Sequence, residues 1–142
     1  QAKRPARRNN HLWIAMGRWR LHLNAINGGS NEDDKVTCLQ LIYLDTEVSL
    51  HEDMPIFILG RDASCSMTNE GKLISRNHAS IEYKKGKFIF RDTSANGTYV
   101  CTEEGRNVYV WREEVALYGL GSISLGRVPE EDEDNLIQYI SR

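Results

Sequence analysis

Cysteine is scarce in this chain: Cys38, Cys65 and Cys101 stand far apart, with no Cys-x-x-Cys and no Cys/His cluster anywhere. An odd count at such spacing excludes a disulfide scaffold and a structural zinc site, and fits a reducing compartment. The chain is therefore read as cytoplasmic. Long apolar runs are missing too. The longest stretch without Asp, Glu, Lys or Arg is Val115 to Gly126, twelve residues, whereas a membrane-spanning helix needs roughly 18 to 20 apolar ones. The start carries Lys3, Arg4, Arg7 and Arg8 but no apolar run or small-residue cleavage site behind them, so it is not a secretory signal. An opening on Gln1 predicts a longer parent protein. Low-complexity sequence is confined to Glu130-Glu131-Asp132-Glu133-Asp134, read as a solvated loop.

Acidic residues are absent from the first thirty positions, which hold six Lys or Arg, while the remaining 112 residues hold 12 basic and 20 acidic side chains. Duplex affinity rests on a basic face that neutralises phosphates, so such a body excludes nucleic acid as the main partner. Residues 1–11 are basic and polar around Pro5, a linker composition. In the next segment Leu12, Ala15, Met16, Trp19, Leu23 and Ile26 recur at helical spacing, which predicts an amphipathic helix over 12–26. Trp19, Leu21 and Leu23 also alternate with Arg20 and His22, as in a strand. The stripe is read as a surface that packs against a neighbouring part of the parent protein, with docking on a membrane surface as the alternative. Gly28-Gly29-Ser30-Asn31 then reads as a connector, so residues 1–35 form a basic N-terminal extension.

From Val36 onward the pattern is all-β. Short runs rich in Val, Ile, Leu, Tyr and Phe, each closed by turn residues, predict strands at 36–44, 48–51, 56–59, 79–84, 87–91, 98–101, 108–111, 122–125 and 136–140. That many strands with no helical window between them imply a sandwich or barrel. The clearest hairpin runs from Ile81 to Phe90 about Lys85-Gly86.

Catalytic signatures are missing. His11, His22, His51 and His78 show no metal-ligand spacing, no Gly-x-Ser-x-Gly elbow exists, and Gly119-Leu120-Gly121-Ser122-Ile123-Ser124 lacks both the third glycine and the helix of a dinucleotide loop. What stands out is three polar clusters between strands: Gly60-Arg61, Ser75-Arg76-Asn77-His78 and Ser94-Ala95-Asn96-Gly97-Thr98. Together they hold two guanidinium groups, several hydroxyls and a carboxamide. Guanidinium forks give bidentate, charge-assisted bonds to phosphate, hydroxyls add short-range donors, and an Asn amide satisfies a peptide backbone from both sides. This is equipment for a phosphorylated peptide. Asn96-Gly97-Thr98 is formally a glycosylation sequon, but Asn-Gly is also the strongest short turn signal, and the turn reading is preferred. Cys65 and Cys101 are read as small buried hydrophobes at strand positions.

Gly60-Arg61, then Ser75-Arg76-Asn77-His78-Ala79, then Asp92-Thr93-Ser94-Ala95-Asn96-Gly97-Thr98-Tyr99-Val100, in that order and spacing, resemble a forkhead-associated (FHA) domain over residues 36–142. The resemblance implies a β-sandwich of about eleven strands whose loops bind phosphothreonine peptides, with no catalysis, cofactor or metal. It implies that Arg61 and Ser75 meet the phosphate, that Arg76 meets phosphate or the adjoining backbone, and that Asn96 holds the main chain around the phosphothreonine. Gly60, His78 and Gly97 match positions that shape and brace the loops. One departure is Ala95, where many members carry Ser or Thr, which predicts a lower affinity. Residues 75–88 and 111–127 further resemble FHA modules appended to bacterial class III adenylate or guanylate cyclases, which would make this chain a C-terminal regulatory domain.

Overall fold

The computed structural model describes residues 36–129 and 136–142. The helix expected over 12–26, the connector and the acidic run lie outside the described residues. Among the described residues eleven strands form two sheets: β1 (Cys38–Tyr43), β2 (Thr46–His51), β3 (Phe57–Gly60), β4 (Met67–Thr68), β5 (Ala79–Lys84), β6 (Lys87–Asp92), β7 (Thr98–Thr102), β8 (Asn107–Val110), β9 (Glu114–Leu117), β10 (Gly119–Leu125) and β11 (Ile137–Ser141). One sheet runs β2-β1-β11-β10-β7-β8 and the other β4-β3-β5-β6-β9. Among the described residues no helix is long and apolar enough to cross a membrane.

Alternation along the strands builds the core. Leu39, Leu41, Ile123, Ile137 and Tyr139 of the six-stranded sheet face Phe57, Leu59, Ile81, Phe88, Phe90 and Leu117 of the five-stranded one, and all are buried. Each such side chain removed from water contributes about 1.5–3 kcal/mol. The β5–β6 hairpin turns at Lys85 and Gly86, whose φ values of 51° and 80° match the positive pair that a two-residue hairpin loop demands.

Two strands are absent from the sequence reading. β4 has two residues, too few to alternate, and pairs in parallel with β3. β9 begins at Glu114 among charged residues, yet pairs along β6 from Arg91↔Glu114 to Phe88↔Leu117, where Arg91 and Glu114 form a surface ion pair at 2.6 Å. β10 also starts three residues earlier than its apolar run, because Gly119 and Gly121 read as turn residues. Gly121 instead makes room for a core aromatic: a Cβ there would lie 2.5 Å from the Tyr139 ring. Cys65 is not in a strand but in the β3–β4 loop, half-buried, its thiol donating to the Arg76 carbonyl at 3.1 Å.

Candidate functional site

The ends of β3 and β6 and the starts of β5 and β7 lie together, so the segments 60–66, 69–78 and 93–97 gather at one end of the sandwich. Backbone bonds lace them. The Arg61 amide donates to the Ser75 carbonyl (2.9 Å), Asp62 to Arg76 (3.2 Å), His78 to Leu59 (2.8 Å) and Thr93 to His78 (2.9 Å). Glycine is obligatory where these segments touch. A Cβ on Gly60 would lie 2.0 Å from the Arg76 carbonyl oxygen, and one on Gly97, whose φ is +87°, would meet the Tyr109 ring at 2.5 Å.

Arg61 is exposed, but its Nε donates to the Ile74 carbonyl at 2.8 Å. The side chain is thereby held, while its terminal nitrogens have no hydrogen bond among the described residues. Ser75 Oγ accepts the Ala95 amide at 3.0 Å, which leaves the hydroxyl proton to donate elsewhere. Asn96 ties the third segment to the second through Nδ2, which donates to the Leu73 carbonyl at 3.0 Å, and its carboxamide oxygen stays uncommitted among the described residues. Arg76 is exposed beside them. Asp62 lies among the cations, and its carboxyl is held below the usual range first by hydrogen bonds from the Ser64 hydroxyl and amide, then by Arg76 and Arg61. Arg61, Ser75, Arg76 and Asn96 are thus brought to one end, within a lattice that fixes the first, second and fourth.

His78 is fully buried beneath this surface. Its Nδ1 accepts the Ser75 amide at 3.0 Å, so Nε2 carries the proton and faces the Gly97 carbonyl at 2.9 Å and Thr98 Oγ1 at 3.1 Å. The ring therefore joins the segments holding Ser75 and Asn96 only while neutral. Burial pushes its pKa below the ordinary 6.5, against the smaller opposing pull of the Gly97 carbonyl and Asp92. A His whose folded pKa lies below its unfolded value takes up protons more readily when unfolded. The stability it contributes is present above about pH 6.5 and is lost as pH falls below that toward the folded value. Urea midpoints measured from pH 8 to pH 5 should fall below pH 6.5 for the natural protein, and the fall should be shallower in His78→Gln. Equal slopes in the two proteins would remove His78 as the cause.

The residue that organises the third segment went unassigned in the sequence. Asp92 is 1% exposed, and its carboxylate accepts from the Ser94 amide (3.0 Å), the Ser94 hydroxyl (2.9 Å), the Thr98 hydroxyl (2.6 Å) and the Arg112 amide (3.0 Å). Ser94 Oγ in turn accepts the Gly97 amide at 2.7 Å, Arg112 Nε donates to the Ser94 carbonyl at 3.0 Å, and the Tyr109 hydroxyl donates to the Asn96 carbonyl at 3.1 Å. The signal was present in Asp92-x-Ser94, the spacing of an Asp that bonds its own backbone two residues on. The same bonds settle Ser94: it is buried with its hydroxyl engaged, so it cannot supply the group that Ala95 lacks. Among the described residues no cluster of His, Cys, Asp and Glu could hold a metal ion.

The family model of the FHA domain matches residues 57–117, the span from β3 to β9 that contains all three segments. Several solved structures share the fold. FHA-1 of Mycobacterium tuberculosis Rv1747 is 21% identical with a TM-score of 0.57, over 75% of this chain and 97% of that one. The N-terminal FHA domain of S. cerevisiae Rad53p, solved with a phosphothreonine peptide, is 16% identical with a TM-score of 0.53, over 73% and 91%. The MEK1 FHA domain, solved with a HOP1 phosphothreonine peptide, is 17% identical with a TM-score of 0.55, over 74% and 97%. A search of curated proteins finds no match. The matched span and the two-sheet sandwich agree: residues 57–117 match the FHA family model, and the described residues share the fold of solved FHA domains.

Proposed function

We propose that the loop end bearing Arg61, Ser75, Arg76 and Asn96 binds phosphothreonine-containing segments of a partner protein, or of the same polypeptide, as a signalling module without catalysis. FHA domains are phosphopeptide-binding modules rather than enzymes, and the Rad53p and MEK1 relatives were solved with such peptides. The observation that carries the reading is the state of Arg61: its Nε is anchored on the Ile74 carbonyl while its remaining donors face no protein acceptor among the described residues. A held guanidinium loses less freedom on binding than a free one, and its planar fork matches phosphate oxygens. The Ser75 hydroxyl would supply a short donor, Arg76 a second cation, and the free oxygen of the Asn96 carboxamide an acceptor for a peptide amide. Gly60, His78 and Gly97 would hold these loops in place. No cofactor or metal enters this recognition.

The resemblance of residues 75–88 and 111–127 to cyclase-appended modules supports a regulatory place in a larger bacterial protein such as a nucleotide cyclase. Capture of a phosphothreonine would bias such a parent only through differential affinity for its two states. A gene sequence upstream of Gln1 that encodes no region with paired metal-binding aspartates would end the cyclase assignment and leave the peptide site untouched.

The test of the binding function is a titration of a degenerate phosphothreonine peptide library against its unphosphorylated twin. Binding should be confined to the phosphorylated library and weaken as salt is raised. Equal binding of both libraries would replace this reading with a scaffold that keeps the fold but ignores phosphate.

A further inference from the structure

An antiparallel sheet that covers a core on one face commonly presents polar side chains on the other. The middle of the six-stranded sheet does not. Along β10, Ile123 and Leu125 face the core, and Leu120, Ser122 and Ser124 alternate with them onto the opposite face. Leu120 pairs with Ile140 on β11, and Ser122 with Cys101 on β7. Leu120, Ile140, Cys101 and Leu136 form an apolar cluster separate from the core, and the first three are exposed by only 1%, 2% and 3%. Ser122 is buried likewise, and its hydroxyl has no hydrogen-bond partner among the described residues. Water would reach that hydroxyl on an open sheet face. The burial stops at the flanks, because Glu47, Ser49 and His51 on β2 and Asn107 and Tyr109 on β8 are exposed.

The covered strip is thus three strands wide, about 10 Å at the usual strand spacing, which is the diameter of one helix with its side chains. The described strands of the opposite sheet lie across the core and cannot supply the cover. A segment of matching character exists in the chain: residues 12–26, outside the described residues, carry Leu12, Ala15, Met16, Trp19, Leu23 and Ile26 along one side at helical spacing. As a helix they would run about 22 Å. The nine residues 27–35 can extend roughly 30 Å before Val36. Gln40, only four residues into the described chain, already sits directly opposite Ile140. Charge agrees as well. The extension bears six basic and no acidic residues over its first thirty positions, whereas Glu103 accepts the Leu120 amide beside the cluster and the run Glu130 to Asp134 precedes Leu136 in the sequence.

We propose that the apolar stripe of residues 12–26 docks on the outer face of the six-stranded sheet, over Cys101, Leu120, Leu136 and Ile140, so that the N-terminal extension is an intramolecular cover for the domain. The surface lies on a sheet face, not at the loop end that holds Arg61, so the proposal stands independently of phosphopeptide binding.

Hydrogen exchange of the full chain tests it. Amides within 12–26 should exchange at least about tenfold more slowly than in an unstructured peptide, and equally so when the protein is diluted. In the full-chain double variant Trp19→Asp/Leu23→Asp that protection should vanish, and maleimide labelling at Cys101, located by peptide mapping, should accelerate by about tenfold or more. Exchange of 12–26 at unstructured rates in the natural chain would overturn the proposal whether or not the variant folds. So would protection that is lost on dilution, which would assign the face to a second copy, or protection that arises only with anionic vesicles. Unchanged labelling of Cys101 in a folded variant would overturn it as well.

Discussion

Arg61→Ala should weaken binding of a phosphothreonine peptide by about 10- to 100-fold, the equivalent of the roughly 1.5–3 kcal/mol that a hydrogen bond to a charged group contributes. The effect is expected at the upper end because the Nε bond to the Ile74 carbonyl already holds the side chain, so its terminal donors reach a phosphate with little further loss of freedom. Arg61→Lys should recover only part of the loss, since an ammonium cannot reproduce the planar fork or bond Ile74 in the same geometry. The folded state should change little: the residue is exposed, and the backbone amide at this position keeps its bond to Ser75 in both variants. Calorimetric titration of the natural chain and both variants with one phosphopeptide, alongside thermal melts, separates these effects. Equal affinities of the natural chain and the Arg61→Ala variant would remove this residue from the phosphate.

The sandwich was legible wherever a strand is long enough to alternate and one face is buried. Ile81, Phe88 and Phe90 announced both the β5–β6 hairpin and the face it buries, and Lys85-Gly86 announced its turn. Legibility failed for β4, whose pairing with β3 rests on two residues, and for Glu114 at the start of β9, where a charged residue sits at a paired but exposed position. It failed again at Gly121, because a glycine that makes room for a distant ring reads the same as a glycine that turns the chain. The candidate binding residues were visible as polar clusters between strands because their chemistry is uncommon in such company. Asp92 went unassigned because only its spacing to Ser94 is a local signal, whereas the Arg112 amide that it also accepts is remote in sequence. Composition reports which groups are present; only the fold reports which donors they satisfy.

That hub predicts the largest change in stability. Asp92→Ala would leave the Ser94 amide and hydroxyl, the Thr98 hydroxyl and the Arg112 amide without their acceptor in a setting where the residue is 1% exposed. A buried donor left unsatisfied costs about 1–3 kcal/mol, and four coupled donors, two of them hydroxyls that can turn to other acceptors, do not add in full. The expected loss is about 3 kcal/mol or slightly more, which lowers the melting temperature of a domain this size by roughly 10–20 °C. Asp92→Asn should lose less, about 1–3 kcal/mol, because it keeps one acceptor oxygen while turning an amide donor toward groups that themselves donate. Peptide binding should weaken in both, since Ser94 Oγ fixes the Gly97 amide next to Asn96, and Arg112 fixes the Ser94 carbonyl. Ser94→Ala is the graded control, because it removes one member and leaves Thr98 and Arg112 bonded to Asp92. Urea unfolding of the three variants should therefore rank Asp92→Ala as least stable, then Asp92→Asn, then Ser94→Ala. An Asp92→Ala protein with an unchanged unfolding midpoint would show that this carboxylate does not hold the loop that carries Asn96.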